Sequence, residues 1–186
     1  DESVHENELQ KNNYGKFYVH RTGKMKEQKI KGGTRGGIDI CLSDSADSYY
    51  GILIRSAKFD DGTTKFGPNN VLNYIIEDKK VDYATLEKDV VLKEAVEDCR
   101  DREHKSIILH STRVGLSKKH SDDFKDLQLR TIVGVLLSSY PYKEKEKVFR
   151  NYIINESISK EEAEKISVDI LGYCPKALIK SIYEAL

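Results

Sequence analysis

Lys31-Gly32-Gly33-Thr34-Arg35-Gly36-Gly37-Ile38-Asp39-Ile40-Cys41 is the stretch on which the reading of this chain turns. Its glycines and two cations make a supple, basic loop, because glycine enters backbone conformations other residues avoid. The loop feeds an alternating run in which Ile38, Ile40 and Leu42 point one way and Asp39 and Cys41 the other. Asp39 is the lone carboxylate among apolar neighbours, and a partly buried acid needs a partner. After the polar link 43–48, residues 49–56 alternate again, with Tyr50, Ile52 and Ile54 opposed to Tyr49, Leu53 and Arg55. The two runs predict an antiparallel hairpin. Arg55, at its end, is the expected ion-pair partner of Asp39, with a phosphate grip as the functional alternative.

Working outward, residues 16–20 predict a short strand, Phe17 and Val19 on one face and Tyr18 and His20 on the other. Residues 23–37 read as a long basic loop or hairpin tip. Residues 1–13 are polar and unpatterned, as expected of a frayed terminus or the end of a lost helix. Downstream, Asp60-Asp61-Gly62 signals a turn. Pro68 suits the first turn of a helix whose apolar face is Val71, Leu72, Ile75 and Ile76. The stretch 82–102 is mixed and charged, with Val90-Val91-Leu92 as a short strand. Residues 106–110 form a compact apolar strand running into Ser111-Thr112-Arg113-Val114-Gly115-Leu116. Residues 129–137 fit a helical face, yet their β-branched content favours a strand.

The tail is more regular. Val148, Phe149, Tyr152 and Ile153 suggest one helix. Ser159 with Glu162 makes a capping box ahead of the stripe Ala163, Ile166, Ile170 and Leu171. Gly172 stops that helix, and Pro175 starts another bearing Leu178, Ile179, Ile182 and Leu186. Tyr140-Pro141-Tyr142 reads as a turn with packed rings. The predicted fold is therefore α+β: a mixed or antiparallel curved sheet with flanking helices over residues 1–142, then a helical extension over 143–186.

Composition narrows the function. The 186 residues suffice to bury a core, and 38% hydrophobic against 33% charged content is that of a polar globular protein. No apolar run reaches the length of a membrane span. The first residue is Asp rather than Met, which leaves room for an upstream segment. Three scattered cysteines (Cys41, Cys99, Cys174) fit neither a disulfide framework nor a zinc site, and favour a reducing intracellular compartment, nucleus or cytoplasm alike. Basic and acidic residues balance at 31 each, which counts against strong non-specific duplex binding. The balance is uneven along the chain. Lys16, Arg21, Lys24, Lys26, Lys29, Lys31 and Arg35 face only Glu27, a local basic patch whose alternative reading is a solvated loop.

In their order, several of these pieces resemble the alkyladenine (3-methyladenine) DNA glycosylase family. The counterparts are Gly32-Gly33, Asp39, Ile54-Arg55-Ser56, Gly67-Pro68-Asn69-Asn70-Val71-Leu72 and Arg113-Val114-Gly115-Leu116, spanning roughly residues 17–130. The resemblance implies extrusion of a damaged base from duplex DNA and hydrolysis of its bond to the sugar, with no cofactor or metal. Asp39 then stands at the pocket asparagine, and Asp39 or an amino-terminal glutamate would orient the water as the catalytic carboxylate, with Tyr18, His20, Arg55 and Arg113 around the substrate. Lys24, Lys26, Lys29, Lys31 and Arg35 would follow the phosphates. This chain departs from the family at three points. Only Glu2, Glu6 and Glu8 are available upstream as a catalytic glutamate, Gly32 stands at the place of the intercalating aromatic, and Asp39 replaces an asparagine.

Two rival functions follow. One is an inactive structural or interaction module that meets a protein partner through its C-terminal helices. The other is an enzyme acting on a nucleoside-like small molecule. At single residues the structural alternatives are equally concrete: Asp39 capping loop amides, His20 a satisfied strand residue, and Gly67-Pro68 a helix start rather than an anion site.

Overall fold

A computed structural model of the protein describes residues 4–93, 107–114, 126–134 and 137–186. Glu2, Cys99, Val135, Leu136 and the Gly115-Leu116 end of the last motif lie outside the described residues. The chain divides into two compact units, Ser3–Val96 and Glu97–Leu186. The fold is α+β, and the strand pairs among the described residues are antiparallel.

In the first unit, β1 (Phe17–Val19), β2 (Ile38–Cys41) and β3 (Gly51–Leu53) form a sheet in the order β1-β2-β3. The register sets Val19 opposite Ile38 and Tyr18 opposite Asp39. Residues directly opposite share a face, so this pairing sorts the strands chemically. Val19 and Ile38 join Val71, Leu72 and Leu86 in an apolar cluster, with Phe17 packed against it. Tyr18, His20 and Asp39 fall on the reverse face. The alternation expected for residues 16–20 and 37–42 is realised, as is the hairpin of β2 with β3.

A second hairpin joins β4 (Ser56–Lys58) to β5 (Thr64–Phe66). It turns through Asp60-Asp61-Gly62: Gly62 has φ 82°, and Asp61 Oδ1 accepts from Thr63 N–H at 2.9 Å. Then α1 (Pro68–Asn73) opens with proline in its first turn and runs into a π-helical stretch, Tyr74–Asp78. α2 (Tyr83–Lys88) is capped by Asp82, whose Oδ1 accepts from Thr85 N–H. The run expected as a strand at Val90-Val91-Leu92 makes a single bridge, Val91 with Lys16.

In the second unit, β6 (Ile107–Ser111) pairs with β7 (Arg130–Gly134), which resolves the 129–137 ambiguity toward strand. Leu109 points inward, while the cross-strand pair Ile108 and Val133 faces out. The three helices of the tail are α3 (Lys145–Asn155), α4 (Lys160–Leu171) and α5 (Lys176–Tyr183). Leu109 and Leu137 share one apolar cluster with Val148, Phe149, Ile153, Ala163, Ile170, Ile179 and Ile182. The ribbon thus buries its inner face against the helices, and the division between the two units falls between residues 96 and 97. Among the described residues no helix is long and apolar enough to cross a membrane.

Candidate functional site

The polar face of β1 and β2 gathers the titratable groups of the first unit. His20 Nε2 lies 2.8 Å from Asp39 Oδ1, both groups almost fully buried. A carboxylate only accepts, so Nε2 carries the proton of this bond. The second oxygen, Oδ2, accepts from Gln10 Nε2 at 3.5 Å. Two glycines make the approach feasible. A Cβ at Gly37 would stand 2.8 Å from His20 Cε1, and one at Gly51 would stand 3.3 Å from Asp39 Oδ2. Side chains at these positions would push the imidazole and the carboxylate off their present seats.

His5 completes the group. Its ring meets the His20 ring edge-on at 4.2 Å between centroids. Lys31 Nζ lies 3.4 Å from His5 Nε2. An ammonium only donates, so His5 Nε2 is the accepting nitrogen, and Nδ1 donates to the Tyr18 hydroxyl at 3.3 Å. That hydroxyl also accepts from Arg21 N–H at 3.1 Å. Burial, reinforced by His20 and Lys31 and opposed by Asp39, lowers the His5 pKa to about 4. Burial also lowers Lys31, with Arg35 adding to the effect and Asp39 opposing it. Tyr18 is fully buried, and burial raises it to about 12, as it does the Cys41 thiol. A thiol held protonated to that degree is no nucleophile at neutral pH.

Residues 4–13 are not a frayed end. Asn7 is fully buried, and its Nδ2 donates to the carbonyls of Gly23 at 2.7 Å and Met25 at 2.9 Å. Its Oδ1 accepts from Leu9 N–H, while Gln10 Oε1 accepts from Asn7 N–H, a capping box over the 3-10 turn Glu8–Gln10. This turn carries Gln10 to Asp39 and fixes His5 just ahead of it. Sequence reasoning missed all three residues. The Asn7-x-x-Gln10 spacing is the one signal that pointed to an ordered turn.

The remaining expected site residues are dispersed. The Asp39–Arg55 ion pair is replaced: the acid is held by His20 and Gln10, and the exposed Arg55 lies past the end of β3. There the chain leaves this sheet for β4, and the Arg55 carbonyl accepts from Gly67 N–H. Arg113 belongs to the other unit, just after β6. Lys24 pairs with Glu6, and Lys26 lies 3.8 Å from Glu27. Lys29 and Arg35 are exposed, and Lys31 alone of the five cations reaches the histidines. Arg21 grips Glu87 through its two terminal guanidinium nitrogens, at 2.5 and 2.7 Å, while Glu87 Oε1 accepts from Val19 N–H. That brace fixes the end of β1 beside the site. An open hollow lined by Phe66, Asn70, Asn73 and Tyr74 lies elsewhere in the unit and includes none of these groups.

Chemically, the arrangement is a buried imidazole oriented by a carboxylate, a second imidazole kept neutral, and an ammonium within reach. It can move a proton, and its nitrogen and oxygen atoms can bind a cation. No protein-family model, no curated protein and no solved structure matches the chain.

Proposed function

We propose that the first unit is a divergent, nucleic-acid-associated protein of the alkyladenine-glycosylase type that hydrolyses the N-glycosidic bond of a damaged base. The single observation that carries this reading is the His20–Asp39 hydrogen bond on adjacent strands, directly downstream of the basic segment. Asp39 accepts the Nε2 proton and leaves Nδ1 of a neutral His20 as the base. In the reaction, water bonds to the sugar carbon as the carbon–nitrogen bond breaks. The electron pair leaves with the base, and His20 takes the water proton.

Further support comes from the order of elements: the strand with Asp39, the strand leading to Arg55 and the Gly67-Pro68 helix start follow one another within one unit. The three-stranded sheet stands for the curved sheet of such enzymes. Lys29, Lys31 and Arg35 are the phosphate contacts. Lys24 and Lys26 join them readily, since their ion pairs are exposed to solvent and phosphate displaces such partners easily. Tyr18 is a prop for His5 rather than a stacking platform, because its ring is buried.

One observation favours a second reading. Asp39 and Tyr18 already have partners inside the protein, so the network is complete without a ligand. An inactive interaction module would have the same face. In that case the C-terminal helices, with Ile154 and Val168 exposed, would meet a protein partner. A glycosylase assay on alkylated and deaminated duplexes decides between the two. Base release by the intact chain that disappears in Asp39→Asn supports the hydrolase. No release, together with duplex affinity that does not fall with salt, supports the interaction module.

A further inference from the structure

His5, His20 and Asp39 each offer one ligand atom, and these atoms lie within 4.8 Å of one another. We propose that these three residues form a binding site for a divalent transition-metal ion of the zinc type, with a fourth position left to water. The donor set is two imidazoles and a carboxylate, which suits Zn²⁺ and its neighbours rather than Mg²⁺ or Ca²⁺.

Three features beyond proximity point to a ligand set. The first is that outer partners for two of the three ligands, His5 and Asp39, are already in place. A ligating histidine nearly always engages its other ring nitrogen in a hydrogen bond, and His5 does so through Nδ1 to the Tyr18 hydroxyl. Its Nε2 therefore carries the lone pair. A ligating carboxylate is likewise oriented, and Gln10 holds Asp39 Oδ2. The second is the close approach that Gly37 and Gly51 permit, since a Cβ at either would crowd the His20 ring or the Asp39 carboxylate out of its seat in the cluster. At bond lengths of about 2.0–2.1 Å, tetrahedral ligand atoms stand about 3.4 Å apart, so a closure of up to about 1.4 Å at the widest pair is needed. The third is Lys31, whose ammonium stands at His5 Nε2. A cation already occupies the approach to that lone pair, on a side chain long enough to swing out.

Binding rearranges one proton. His20 now points Nε2–H at Asp39, so it ligates as the other neutral tautomer, with the proton moved to Nδ1 and the metal in place of the hydrogen bond. The site is read from protein atoms alone and does not require the base-excision reading. It is tested without nucleic acid, so either proposal stands or fails by itself.

The experiment is titration of the metal-free chain with Zn²⁺ by calorimetry and with Co²⁺ by visible absorption. One ion per chain should bind, and Co²⁺ should give the intense bands of low-coordinate nitrogen and oxygen ligation. His5→Ala and Asp39→Asn should each weaken binding at least tenfold. Tyr18→Phe, which keeps the ring but not the hydroxyl, should weaken it by about tenfold, the lower end of outer-partner effects. Lys31→Gln should strengthen it several-fold, which a site elsewhere on the chain would not show. Absence of Zn²⁺ and Co²⁺ binding by the intact chain overturns the proposal, as does affinity indifferent to His5→Ala. If Asp39→Asn fails to fold, His5→Ala and Lys31→Gln decide the matter, since both side chains are only partly buried.

Discussion

The two units solve the problem of burial in opposite ways. The second is centred on hydrocarbon: ten of its fully or nearly fully buried side chains from Leu109 to Ile182 are aliphatic or phenyl. The first has a smaller apolar cluster of Val19, Ile38, Val71, Leu72 and Leu86, and on the reverse of the same strands it buries Asn7, Gln10, His20 and Asp39. Apolar burial is non-directional and tolerant, whereas each buried polar atom must find its partner or cost the full desolvation penalty. A chain that retains four such residues together has a use for their chemistry, or tolerates a cost that the other unit, with Ser111, Arg130 and Ser167 buried, meets with fewer residues. The contrast locates the candidate chemistry in the first unit and the larger apolar store of stability in the second.

The sharpest way to break this comparison is to cut a large group from the hydrocarbon unit. Phe149 is fully buried on α3, and Phe149→Ala should cost about 3–5 kcal/mol through lost transfer energy and the cavity left behind. Hydrogen exchange should rise across β6, β7 and the three helices while the protection of β1 and β2 is unchanged. Equal loss of protection in both units would mean that they unfold as one, and the contrast would have no energetic meaning.

Next in size is the polar counterpart. Asn7→Ala removes two donors and leaves the Gly23 and Met25 carbonyls without their bonds, at a cost of about 2 kcal/mol. The effect should be local: exchange at residues 8–10 rises, His5 leaves the site, and any Zn²⁺ affinity falls with it. A variant with unaltered exchange at Glu8 and Gln10 would show that the turn is held by something else.

Acid separates the units more gently. His5 is lowered to about 4 against an ordinary value of about 6.5, so the folded first unit binds fewer protons there than the unfolded chain. Stability from this group is fully present above about pH 6.5 and is lost as pH falls toward 4. His5 is only partly buried and screened by solvent, which reduces its contribution to about 1–2 kcal/mol. Denaturation of the metal-free chain followed between pH 7 and 4 should show the first unit weakening, with much of the slope removed by His5→Ala. At the other extreme the units behave alike: burial raises Tyr142 in the second and Tyr18 in the first to about 12, so their neutral forms are favoured and that stability is lost as pH climbs from about 10 through 12.

What the sequence made legible follows the same division. Ile38 and Ile40 against Asp39, and Leu109 among apolar neighbours, announce strands by alternation. Ser159, Gly172 and Pro175 mark helix ends by residue chemistry, and Gly172 indeed closes α4 at φ 89°. These are periodic or local signals. Asn7, Gln10 and His5 give no periodicity, because what buries them is a set of directed bonds to Gly23, Met25, Asp39 and Tyr18, which are 13 to 29 residues away. The partner of Asp39 was misread for a related reason. Arg55 and His20 are each two residues from a neighbour directly opposite Asp39, and pattern cannot say which continues in register. The chain leaves β3 before Arg55, while His20 stays tied to β2, its N–H donating to the Gly37 carbonyl at 3.1 Å.

The smallest effect separates motif from context. Asn7 and Ser159 are both N-cap residues whose side-chain oxygen accepts from a backbone N–H in the turn they open. Ser159 is exposed, and its Oγ makes that one bond, to Glu162 N–H at 3.2 Å. Water can replace it in part, so Ser159→Ala should cost about 1 kcal/mol and fray only the first turn of α4. If Ser159→Ala matched Asn7→Ala in cost, capping alone would account for both. The expected gap of about 1 kcal/mol is what burial and two further carbonyl bonds add to the same motif. Measured side by side by chemical denaturation, the pair tests whether the polar unit is held by its directed bonds or by the same local rules as the helices.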